Sequence, residues 1–163
     1  MMFRQIFGAT TRWFVMAVAM LLVSISHAQT AAQDPIEAGA AALARGHSAT
    51  AYRAWIDLAR AGNAQAQNNI GYLHEHGLGL SQSYQSAMEW YRKAADKNLP
   101  QAQYNIGTLY YYGYGVERNA REAVRWFQMA ADQSLAAGEY MLALASQQGK
   151  GTSLDYAKRG VCF

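Results

Sequence analysis

From position 64 onward, small and apolar residues fall into two helical stripes that recur every 36 positions. Ala66, Ile70 and Leu73 lie at i, i+4 and i+7, and Ala87, Trp90, Tyr91, Ala94 and Ala95 at i, i+3, i+4, i+7 and i+8. Both spacings place the apolar side chains on one face of a helix. The same stripes return as Ala102, Ile106 and Leu109, then as Ala123, Trp126, Phe127, Ala130 and Ala131. The periodicity predicts helices over 64–76, 82–97, 100–112, 118–134 and 136–148, preceded by a pair over 34–45 and 48–60. Asp34 and Pro35 suit the N-cap and first helical position of the earliest one. No stretch alternates with the period of a strand. The prediction is an all-α chain of helix pairs stacked into a solenoid.

Glycines punctuate the pattern. Gly77-Leu78-Gly79, Gly113-Tyr114-Gly115 and Gly149-Lys150-Gly151 sit at the same register, and the first glycine of each falls where a helix closes in the left-handed region. Gly71 and Gly107 lie inside helices, at a cost of roughly 0.5–1 kcal/mol each relative to alanine. Keeping both implies that the facing helix approaches too closely for a Cβ. Trp90 and Trp126 are expected to be the buried anchors, so that Trp126→Ala would cost about 3–5 kcal/mol. Ala51, Trp55 and Ala59 lie 36 positions before Ala87, Tyr91 and Ala95, which makes the first pair a degenerate repeat with a shortened turn.

The order Ala…Ile-Gly…Leu…Gly-x-Gly…Ala…Trp-Tyr/Phe…Ala-Ala resembles the Sel1-like repeat, a relative of the tetratricopeptide repeat. The resemblance covers about residues 64–158. It implies an α-α solenoid with a right-handed superhelix that serves as an interaction module. It also raises, by family analogy alone, a hydrolase of cell-wall or β-lactam substrates as the alternative. The expected organisation is a signal peptide over 1–28 and a repeat domain over 29–163. Within that domain a degenerate pair spans about 34–62, repeats span about 64–99 and 100–135, and a partial repeat spans 136–163.

The leader is read from Arg4 and Arg12, the apolar run Trp13 to Ile25, and Ser26-His27-Ala28 before a cut. That run is shorter than the roughly 20 residues a membrane helix needs. No Cys follows Ala28 and no Arg-Arg pair precedes the run, so general export is expected, to the periplasm or outside the cell. Of the 14 Lys and Arg residues two lie in 1–28, leaving 12 against 11 Asp and Glu, a net charge of +1. Such a balance offers no basic surface for nucleic acid, and no membrane attachment is expected after cleavage. Cys162 is the single cysteine and cannot form an internal disulfide. The partial repeat departs from the pattern at Arg159 and Cys162, and self-association through an apolar patch of Tyr140, Met141, Leu142 and Leu144 is an expectation.

Candidate chemistry is sparse. His74-Glu75-His76 places two imidazoles at i, i+2, where they point apart, and their repeat mates are Tyr110, Tyr111 and Tyr112, so no metal is expected. The sequence holds no Gly-x-Ser-x-Gly, Ser-x-x-Lys, His-Glu-x-x-His or Cys-x-x-Cys, and the Gly-x-Gly turns lack the third glycine and preceding strand of a nucleotide loop. Neither catalysis nor a cofactor is expected. What remains is the groove lined by first helices. Positions that differ between copies are free to recognise a partner, and these are Asn68, Tyr72 and Glu75, then Tyr104, Thr108 and Tyr111, then Tyr140. The expected partner is another protein or a peptide.

Overall fold

The computed structural model describes residues 34–149. The leader, Cys162 and the end of the partial repeat lie outside the described residues. Among the described residues seven helices follow one another: α1 (Pro35–Ala44), α2 (Ser48–Arg60), α3 (Ala64–His76), α4 (Tyr84–Ala95), α5 (Pro100–Tyr112), α6 (Ala120–Ala131) and α7 (Ala136–Gln147). No strand occurs among the described residues. The closest backbone packing runs between consecutive helices, as in an all-α repeat solenoid.

Local chemistry sets the helix ends. Asp34, Asn63, Ser83 and Asn119 each accept a backbone N–H of the helix they precede, which satisfies donors that would otherwise be orphaned. Gly77 and Gly113 close α3 and α5 in the left-handed region. A second left-handed site, absent from the sequence reading, joins one repeat to the next. Gly62, Asn98 and Ser134 stand 36 apart with φ of 93°, 61° and 62°. Only the first is a glycine, which is why the pattern hides in the sequence.

The core is organised by three rings at one register. Trp55, Tyr91 and Phe127 are each at most 2% exposed. A Cβ on Gly71 would lie 2.6 Å from the Tyr91 ring, and one on Gly107 would lie 2.6 Å from Phe127. The ring of each second helix therefore seats on the glycine of its first helix. The first pair keeps the device in another register, since a Cβ on Gly39 would overlap the Trp55 ring. Gly39 and Trp55 are 16 apart where Gly71 and Tyr91 are 20 apart. The difference of four equals the shortening of the intervening turn, three residues between α1 and α2 against seven between α3 and α4.

This arrangement corrects the expectation for the tryptophans. Trp90 and Trp126 are half-buried. Trp90 lies against the core of the preceding helices, and Trp126 does the same one repeat later. They join repeats at the periphery, whereas the neighbouring Tyr91 and Phe127 fill the interior. The apolar patch expected on α7 is smaller too. Met141 is buried, Leu142 and Leu144 pack against the cluster around Phe127, and Tyr140 alone of the four is widely exposed, at 67%.

Candidate functional site

α3 and α5 lie side by side and enclose a groove of about 510 Å³. It brings together five of the seven residues expected there, Asn68, Tyr72, Glu75, Tyr104 and Thr108, with Gln65, Asn69, His76, Gln101 and Asn105. The last five include the groove's main chemistry. Gln65 Nε2 donates to Asn69 Oδ1 (3.1 Å), and its repeat mate Gln101 donates to Asn105 Oδ1 (3.4 Å). Asn105 Nδ2 then donates to Asn68 Oδ1 at 2.9 Å, which ties the two helices together. The result is a ladder of primary amides across the groove floor. Each amide carries both donors and acceptors, the complement of a peptide backbone. The ladder ends with these two repeats, because the next mates are Ala137 and Met141. The sequence carries the signal as Gln-x-x-x-Asn at 65–69 and again at 101–105, but a repeating pair of this kind does not differ from one that serves the architecture alone.

Of the seven, Glu75 lines the groove but is already engaged, and Tyr111 and Tyr140 lie outside it. Glu75 reaches inward from the groove wall, where its Oε2 accepts the Tyr91 hydroxyl at 2.5 Å. Burial, with the Glu75 carboxylate second, pushes that hydroxyl far above the usual tyrosine range, so it remains a donor. Tyr111, the mate of Glu75, is 6% exposed and belongs to the core, its ring 6.2 Å from Phe127. The two pairs vary together: a carboxylate faces a phenol in one repeat, and an aromatic ring faces a phenylalanine in the next. Tyr111 is thus not a free recognition residue, although its hydroxyl donates to Gln148 Oε1 at 2.8 Å on the rim of a separate hollow. Tyr140 lines neither space.

The remaining walls hold little charge. His76 Nδ1 lies 3.0 Å from the Tyr72 carbonyl and its ring sits 4.1 Å from the Tyr72 ring. Thr108 Oγ1 donates to the Tyr104 carbonyl at 3.1 Å. Tyr72 is 40% exposed and Tyr104 packs partly on Phe127. Outside the groove, burial lowers the His74 pKa and Glu89 opposes the shift, while His74 Nδ1 has no hydrogen-bond partner. Among the described residues no group of three or more His, Cys, Asp or Glu side chains could hold a metal, and no helix is long and apolar enough to cross a membrane.

A family model described as Sel1 repeat matches the chain at residues 64–99, 100–135 and 136–158. Among solved structures the chain is similar to a Sel1 repeat protein from Oxalobacter formigenes, at 32% identity and a TM-score of 0.69, over 78% of this chain and 51% of that one. It is also similar to a protective antigen present in uropathogenic Escherichia coli strains and displaying an SLR fold, at 31% identity and a TM-score of 0.68, over 83% of this chain and 30% of that one. The chain thus spans about half the length of the first and under a third of the second. None of the curated proteins matches it.

Proposed function

This chain belongs to the Sel1 repeat family, and on that premise we propose that it is a secreted or periplasmic binding module whose first helices hold an extended segment of another protein. Sel1 repeat proteins generally mediate protein–protein interactions. The observation that carries the finer reading is the amide ladder from Gln101 through Asn105 to Asn68. It offers paired donors and acceptors, ordered before any ligand arrives, which lowers the entropy cost of holding a backbone. Tyr72 and Tyr104 flank it, and tyrosine supplies contact area with few rotatable bonds.

The proposed role has no covalent step and no cofactor. The groove's carboxylate, Glu75, is engaged by Tyr91, and its aliphatic hydroxyl, Thr108, by a carbonyl. Neither is paired with a base that would activate it. The export reading rests on the charged, apolar and small-residue sequence of 1–28.

The test is capture of partners from periplasm and culture medium with the processed chain as bait. Asn69→Ala combined with Tyr72→Ala should leave the far-ultraviolet dichroism unchanged and abolish specific capture. Partners retained by the double variant would place binding elsewhere. N-terminal sequencing of the exported protein should begin at Gln29, and an intact leader on a cytoplasmic product would remove the export reading.

A further inference from the structure

The groove between α3 and α5 is flanked by two further spaces of different character, one that shares residues with it and one that is separate. Between α1 and α3 lies a slot of about 400 Å³ walled by Ile36, Ala40, Leu43 and Trp55. Its Trp55 indole N–H is already spent on the Ile36 carbonyl at 3.1 Å, so the slot's deep wall asks for apolar contact. Gln65, Asn69 and Tyr72 line both this slot and the amide groove, so one ligand can occupy both. Beyond the groove, the hollow between α5 and α7 is lined by Tyr111, Tyr112, Arg118, Leu144 and Gln148.

Arg118 is the cation among all these lining residues. Its Nε donates to the Tyr111 carbonyl at 3.2 Å, which fixes the guanidinium at the end of α5. Its repeat mate Gln82 makes the same bond to the Glu75 carbonyl at 2.8 Å. The turn therefore needs a donor at this position but not a charge. The ion pairs among the described residues, Arg60 with Asp57 and Arg125 with Glu122, leave Arg118 without a carboxylate. Its forked terminal nitrogens match one.

We propose that the face lined by the first helices reads a segment with an apolar side chain at one end and a carboxylate about six residues away, joined by an uncharged stretch. The spacing follows from geometry. Neighbouring packed helices stand roughly 10 Å apart, and an extended chain advances about 3.3–3.6 Å per residue. Each slot-to-slot step thus takes about three residues, and the path from α1/α3 to α5/α7 takes about six. The apolar side chain fills the Leu43 slot, the central backbone lies over the amide ladder, and the carboxylate meets Arg118. This inference rests on the groove being a peptide site, as read above.

The probe is a library of random dodecapeptides displayed on phage and panned against the full processed chain. Recovered sequences should share a large apolar residue and an Asp or Glu about six positions apart, with Lys and Arg depleted between them. A synthetic peptide of the recovered sequence should bind about two- to fivefold more weakly to Arg118→Gln, the size expected for an exposed ion pair. The peptide with Asn or Gln in place of its acid should not distinguish Arg118→Gln from wild type. Ala40→Gln, on the exposed face of α1, should weaken both peptides alike by filling the slot's mouth. Peptides that bind through Asn69 and Tyr72 but lack this spacing, or that ignore Arg118→Gln, overturn this inference and leave the groove reading standing. Failure to recover any peptide overturns both.

Discussion

Neighbouring residues on one helix can carry opposite burdens, and Trp126 and Phe127 show it. The larger ring is the peripheral one. Phe127 is completely buried on Gly107, while Trp126 is half-buried between repeats. Phe127→Ala should therefore cost about 3–5 kcal/mol, and Trp126→Ala less, about 1–2 kcal/mol. Chemical denaturation of the two variants checks the order, and a larger loss at Trp126 would reverse the assignment of the core. His74 supplies a pH dependence. Burial holds its pKa below the ordinary 6.5, so the unfolded chain takes up the proton first as pH falls. Its stabilising contribution is whole above pH 6.5 and is lost as pH drops through the folded value. Melting temperature should fall between pH 7.5 and 5. His74→Tyr, which copies its mate Tyr110, should flatten that fall, and an unchanged slope would mean that other groups govern it.

Elements are joined by turns that act across repeats as well as within them. Gly77 and Gly113 end helices, but the second glycines of the same turns, Gly79 and Gly115, press on the preceding repeat. Gly115, at φ 68°, has the Tyr84 Cβ where its own would stand, and a Cβ on Gly79 would lie 3.0 Å from the Ala49 backbone nitrogen. Gly115→Ala thus combines left-handed strain with a clash against the start of α4, and a loss of about 2–3 kcal/mol is expected. The loss should appear as earlier opening of α6 and α7 in hydrogen exchange, since the contact links their turn to the repeat before. Uniform loss across all helices would show that the stack unfolds as one unit. At the far end, α7 covers Met141 and leaves Tyr140 open. Amides of 136–147 should exchange faster than those of 100–112, and equal protection would mean that the open face of α7 is covered in solution.

At the scale of the whole molecule, stacked pairs turn a local repeat into a continuous surface, and binding through uncharged amides should be nearly insensitive to salt. Raising ionic strength from about 0.05 to 0.5 M should shift affinity for a captured partner by no more than the few-fold expected of one exposed ion pair. A drop of a hundredfold or more would point to a charged face instead of the groove. The sequence alone determined the helices, their pairing and the stacked architecture, because apolar spacing, caps and left-handed glycines are properties of segments a few residues long. Its spacing also put Asn68, Tyr72, Glu75, Tyr104 and Thr108 on the helix faces that line the groove, while their role in binding remains the proposal above. It did not separate Trp126 from Phe127, because both satisfy one helical stripe and only the crossing of α6 over Gly107 selects between them. Nor did it show that Tyr111 is interior and Glu75 engaged, since each is defined by a ring on another helix. The amide ladder joins residues 37 positions apart, Asn68 and Asn105, and exists only once two repeats lie side by side. Periodicity records which way a side chain faces; what it meets there depends on the neighbouring helix, and that neighbour is placed by packing.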